Sequence, residues 1–184
     1  MITPETELEK RIIESQEFQI GSQHISIGTG HKEKVVGIHI EQILAFIERQ
    51  PWAGYRRSLR TIGLLHDLGK VRVVRNEKGG IVGNSHSQHS EEIARLFTSE
   101  EEILYAIRIH DKYVHFMRSE QRGDLELGRF LKTYRQANLD LLIRFNYADS
   151  NNRERDSVKW FEDTCLKTGL RESRVYQQEP TVLM

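Results

Sequence analysis

The chain has 184 residues, 38% hydrophobic and 29% charged, enough for one well-buried core and balanced as soluble globular proteins are. Lys plus Arg and Asp plus Glu both total 27, which argues against a broad basic surface for long nucleic acid and leaves room only for a local pocket taking one or two phosphates. Cys165 is the single cysteine, so no intrachain disulfide can form and a reducing, cytoplasmic setting is expected. The acidic first ten residues do not read as a secretory signal, and no run approaches the ~20 apolar residues of a membrane-spanning helix.

In chain order, residues 5–18 predict a first helix with Leu8, Ile12 and Ile13 on one side. Residues 19–30 hold three glycines and alternating isoleucines and predict a loop or short hairpin. Residues 34–49 place Val36, Ile40, Ile43, Leu44 and Ile47 at helical spacing, and Pro51 ends that helix. A second apolar-faced helix is expected over 55–68. Residues 71–83 predict a small β-hairpin turning at Lys78-Gly79-Gly80. Residues 89–97 predict a helix, and Ser99 with Glu102 has the spacing of a capping box for the next one, which carries Ile103, Leu104, Ile107 and Val114. Residues 125–149 predict one long helix and 156–167 a last one before Gly169. The expected class is all-α with one small hairpin.

Several polar residues fall on apolar stripes, where a leucine would be expected. His66 lies four after Ile62, with Asp67 next to it; His39 lies three after Val36; His110 lies three after Ile107; Asp149 lies four after Phe145. A buried carboxylate without a partner is costly. Any one of these residues alone reads best as a satisfied core histidine or a helix-end carboxylate. As a set on separate helices, aimed inward, they are most simply explained by convergence on a metal. Imidazole with carboxylate suits a divalent transition ion such as Mn, Co, Ni, Zn or Fe.

His39, His66-Asp67 and Asp149 resemble the H…HD…D signature of the HD phosphohydrolase superfamily. The form Leu64-Leu65-His66-Asp67-Leu68-Gly69-Lys70 is similar to the HD domain of bacterial CCA-adding tRNA nucleotidyltransferases. Gly37-Ile38-His39, His86-Ser87-Gln88-His89, Ile109-His110-Asp111, His115 and Ala148-Asp149-Ser150 extend the likeness in family order. The resemblance implies an HD-type helical bundle over residues 1–176 and an enzyme that hydrolyses phosphoric esters with one or two ions. His39, His66, Asp67 and Asp149 would hold a first metal. His89 and His110 would add a second, bridged by Asp67. Lys70, one turn beyond His66, would hold a phosphate oxygen, unless it is an ordinary solvated lysine.

Some positions have rivals. His31 competes with His39, which has the better apolar phase and spacing to His66. His86 competes with His89, preferred because Ile93 and Ala94 fall four and five residues later. His86, Lys112 and His115 are candidates for touching substrate, with Asp111 at the mouth. Arg153 and Arg155 could meet a phosphate, although a polar loop of solvated charge is the simpler reading there. His24 reads as a surface residue, and Trp52 and Trp160 as packing residues.

Residues 177–184 form a tail whose apolar Val182-Leu183-Met184 could open a parallel strand. The tail resembles the junction in bacterial RNA-end-healing proteins, which join an N-terminal HD domain to a P-loop polynucleotide kinase, and an apolar tail docking on its own core fits as well. The resulting expectation is a cytoplasmic phosphatase or phosphodiesterase of RNA repair type, acting on phosphomonoesters or 2′,3′-cyclic phosphates of nucleotides or RNA ends. Hydrolysis of a di- or triphosphate or a cyclic dinucleotide, and a non-catalytic metal- or nucleotide-binding module, stand as alternatives. Partners would be a nucleotide or RNA end, with no membrane, no extended nucleic-acid surface, and room for a homodimer or a fused P-loop kinase.

Overall fold

The computed structural model describes residues 2–25, 35–150 and 155–175. Among them run ten α-helices and one two-stranded hairpin. The first predicted helix is two, α1 (Glu7–Glu14) and α2 (Gln16–Ser22). Ser15 causes the break: its backbone is extended and its hydroxyl accepts from the Phe18 N–H, so it caps α2 instead of continuing α1. The helix α2 occupies the start of the stretch expected to be a loop or hairpin. His31 lies outside the described residues, as do Arg153 and the tail 177–184.

The core is built by α3 (Val36–Glu48), α4 (Arg56–Leu65) and α9 (Leu139–Ser150), which pack on one another. Gly63 lets α4 approach α3, since a Cβ there would stand 3.1 Å from Ile43. A buried Arg60 ties α4 to α1 by two hydrogen bonds of 2.8 Å to Glu9, itself buried. After α4 the chain tightens into a 3-10 turn, Leu68–Arg72, and this shortens the hairpin to β1 (Val74–Arg75) and β2 (Ile81–Val82). The turn chemistry is as expected: Gly79 has φ 78° and the Asn76 side chain accepts from the Lys78 and Gly80 N–H groups.

Helix α5 (His86–Ala94) starts three residues before the predicted position because Ser85 and Gln88 form a reciprocal capping box. The Ser99 cap is not formed. Glu100 is the N-cap of α6 (Glu101–Ile109), and the Thr98 hydroxyl accepts from its N–H. Helix α7 (Lys112–Arg122) begins anew after His110-Asp111. The long helix over 125–149 is interrupted: α8 (Leu127–Tyr134) stops, and Asn138 caps α9 by accepting from the Leu141 N–H. Last comes α10 (Arg155–Lys167), with Gly169 left-handed behind it. No helix among the described residues is long and apolar enough to cross a membrane.

Candidate metal centre

The His-Asp pair sits where α4 ends. His66 is the last residue to keep helical angles, and Asp67 follows at φ −111°, ψ −2°. That bridge-region backbone turns the carboxylate back across the end of the helix. The pair His110-Asp111 repeats this geometry at the end of α6, with Asp111 at φ −97°, ψ −8°.

In both histidines the outer ring nitrogen is tied to backbone. His66 Nδ1 donates to the Gly63 carbonyl at 3.1 Å and His110 Nδ1 to the Ile107 carbonyl at 2.8 Å. Such a bond fixes the orientation of each ring and turns its Nε2 inward. His39 Nε2 lies 2.8 Å from Asp149 Oδ1, and that oxygen is 3.5 Å from His66 Nε2. Asp67 Oδ2 lies 3.4 Å from His66 Nε2, and Asp67 Oδ1 lies 4.0 Å from His110 Nε2. His39, His66, Asp67 and His110 are all buried.

The candidate ligands therefore form two groups sharing His66: His39, His66 and Asp149, and His66, Asp67 and His110. His66 Nε2 is buried with no hydrogen-bond partner. A buried ring nitrogen without a hydrogen bond is expensive in a core, and a metal ion in place of the proton would satisfy it. The electrostatics agree with a cation. Burial, the strongest influence on His66, favours the neutral ring, yet Asp67 and Asp149 outweigh it and push the ring up to about 10. Burial likewise opposes charge on Asp67 and Asp149, yet both carboxyls are held well below their ordinary range, Asp67 by His66, Lys70 and His86 and Asp149 by His39 and His66. The donor set fits a divalent transition metal.

The two rival histidines for the second position, His86 and His89, meet different partners. His89, whose side chain is no more exposed than that of His86, meets Glu92 through Nδ1 at 3.1 Å. His86, one turn earlier, faces the centre, with Nε2 3.4 Å from His110 Nε2 and 3.6 Å from Asp67 Oδ1. The Ser85 cap puts His86 in the first turn of α5. Burial and the neighbouring His110, against Asp67 and Asp111, lower the His86 ring to about 4.

Lys70 donates to Asp67 Oδ2 at 2.5 Å and so adds positive charge to the same centre. Asp111 Oδ2 approaches His86 Nε2 to 3.7 Å at the outer edge. Lys112 and His115 lie beyond it, along a cleft, while Arg155 starts α10. Trp52 and Trp160 pack, on Phe46 and Phe130.

Residues that the sequence reading did not single out hold the frame. Ser90 Oγ accepts from the Gly69 N–H at 2.9 Å, locking α5 to the 3-10 turn. The buried Glu91 accepts from Arg95 on its own helix and from Arg108 on α6. The capping box of Ser85 and Gln88 was readable from its spacing; the Glu91 clamp had no sequence signal.

The model of the HD domain matches residues 38–149, more than half of the chain, from the residue before His39 to Asp149. The chain belongs to the HD domain family. HD domains hold divalent metals and are in general metal-dependent phosphohydrolases, and the clustered His and Asp side chains of this HD domain can hold such an ion. No curated protein and no solved structure matches the chain.

Proposed function

We propose that this HD domain hydrolyses phosphomonoesters or 2′,3′-cyclic phosphates of nucleotides or RNA ends. The observation that carries the reading is the buried, unpartnered His66 Nε2 at the corner shared by two ligand groups, beside an edge open to substrate at His86 and Asp111. His39, His66 and Asp149 would hold one ion, and Asp67, His86 and His110 a second. Ions so held polarise phosphoryl oxygens and lower the pKa of water, which is the chemistry that phosphate-ester hydrolysis needs.

The chain's own residues do the rest. Gly63 and Ile107 carbonyls orient two imidazoles before any ligand arrives, so little reorganisation is left for the reaction. Lys70 brings an ammonium against the centre and would hold a non-bridging phosphate oxygen as charge builds on it. His86, held low by burial and His110, stays neutral at ordinary pH, as a ligand or a proton acceptor must.

The test is phosphate release from 2′,3′-cyclic AMP, 2′-AMP, 3′-AMP and 5′-AMP with Mn, Co, Ni, Zn and Mg. Asp67 touches His66, Lys70 and His86 at once, so Asp67→Ala is expected to abolish turnover and to lower the metal content read by elemental analysis. Full activity in Asp67→Ala defeats the mechanism. Bound metal with no turnover on any substrate favours a binding module.

A further inference from the structure

A cleft of about 260 Å³ adjoins the metal centre between α5, α7 and α8. Its volume is close to the ~300 Å³ at the lower end of small-ligand sites. Asp111 links the two, lining the cleft while its Oδ2 approaches His86. Past Asp111, the cleft is therefore within reach of a group held at His86.

The lining is specific in character. Lys112 and His115 come from α7 and Arg129 from α8, and none of the three has an ion-pair partner among the described residues. Most arginines packed around the core behave otherwise: Arg56, Arg60, Arg95, Arg108, Arg144 and Arg171 are each paired with a carboxylate. In a chain with zero net charge, the two uncommitted cations Lys112 and Arg129 outnumber the one carboxylate of this concavity, Asp111, and make it a local anion-binding surface. Phe116 supplies an apolar wall. Its ring is held T-shaped against Phe130 at 5.3 Å and Tyr134 at 5.9 Å, so little side-chain entropy remains to be lost on binding.

Phosphate-binding cations beside a fixed aromatic ring are the recurring elements of single-stranded nucleic-acid sites. We infer that this cleft binds the nucleotide next to the reacting end, so that the substrate is the end of an oligonucleotide rather than a mononucleotide. Arg129 is the specificity-determining contact, holding the phosphate between the last two nucleotides. The inference rests on the proposed phosphate-ester hydrolysis.

The experiment compares the Mn-loaded protein on 2′,3′-cyclic AMP and on the dinucleotide ApA ending in a 2′,3′-cyclic phosphate. Binding of ApAp, 3′-AMP and ADP is read separately by titration calorimetry. The expected result is a higher kcat/KM for the dinucleotide, carried by KM, and a steeper fall with salt, as an added phosphate contact requires. Arg129→Ala should shrink the dinucleotide-to-mononucleotide ratio about tenfold, the size of one charge-assisted hydrogen bond, and weaken ApAp binding in step. Arg129→Lys should restore part of it. Arg129 is exposed, so these variants are expected to keep the fold, checked by circular dichroism.

Equal turnover of the two substrates overturns the inference and leaves the hydrolase reading standing. A dinucleotide preference that survives Arg129→Ala also overturns it, because the second phosphate is then held elsewhere. ADP binding that depends on Arg129 while ApAp binding does not replaces the oligonucleotide with a nucleoside diphosphate. No turnover of either substrate overturns both readings.

Discussion

His66 and His110 are held by one backbone device used twice. Each is the C-cap of its helix, each donates through Nδ1 to the carbonyl three residues back, and each is followed by an aspartate in the bridge region. Their rings stand 5.2 Å apart, nearly perpendicular at 87°, so the two Nε2 atoms converge without stacking. Two helix ends thus meet head to head around the centre.

Because the two ligand groups overlap only at His66, they can be separated by mutation. His110→Ala leaves His39, His66 and Asp149 in place. It is expected to lower the metal content by one ion per chain while the fold persists, as read by elemental analysis beside circular dichroism. An unchanged stoichiometry would show that a single ion serves the site.

His86 and His89 lie on the same short helix and differ in where they point. His86→Ala is expected to reduce phosphate release by about 10–100-fold, the range for losing a residue that tunes a metal site. His89→Ala breaks only the bond to Glu92 near the surface and should stay within about twofold. Steady-state kinetics on the pair decide between the two positions, and the reverse order of effects would restore the choice made from the sequence phase.

Gly69 is the one residue of Leu68-Gly69-Lys70 whose role is steric. A Cβ there would lie 2.3 Å from the His86 carbonyl oxygen and 2.4 Å from the Ser90 nitrogen, both backbone. Gly69→Ala must push α5 off the 3-10 turn and carry His86 away from Asp67. Overpacking of this kind costs about 1–3 kcal/mol. Urea denaturation should show that loss, accompanied by weaker metal binding in calorimetry; wild-type stability with wild-type affinity would contradict the packing.

Cys165 is fully buried, and burial is the main reason its thiol is pushed up to about 12, with Arg171 pulling the other way and Glu162 adding to the rise. The folded thiol keeps its proton at pH values where the unfolded thiol, near 9, has lost it. Stability from this group is therefore complete below pH 9 and declines as pH rises from about 9 toward 12. Iodoacetamide at pH 8.5 should leave the native chain unlabelled and modify it in urea, since only thiolate reacts. Rapid labelling of the native protein, followed by mass spectrometry, would count against this burial.

The amino-acid sequence by itself determined the helical class, the hairpin turn at Lys78-Gly79-Gly80, and the inward phase of His39, His66, His110 and Asp149. Each of these depends on periodicity or on local backbone chemistry, which act over a few residues and leave a visible pattern. Helix ends were less legible. Ser15 and Asn138 interrupt helices that hydrophobic spacing alone would continue, because a side-chain oxygen that captures a nearby N–H competes with the next helical turn. Only the tertiary structure decided that His86 rather than His89 faces Asp67, that Lys70 pairs with Asp67, and that Arg129 shares a cleft with Lys112 and His115. Those relations depend on how α5 seats on Gly69 and how α7 and α8 leave a concavity between them. They are set by contacts between residues far apart in the chain, where no local spacing records them.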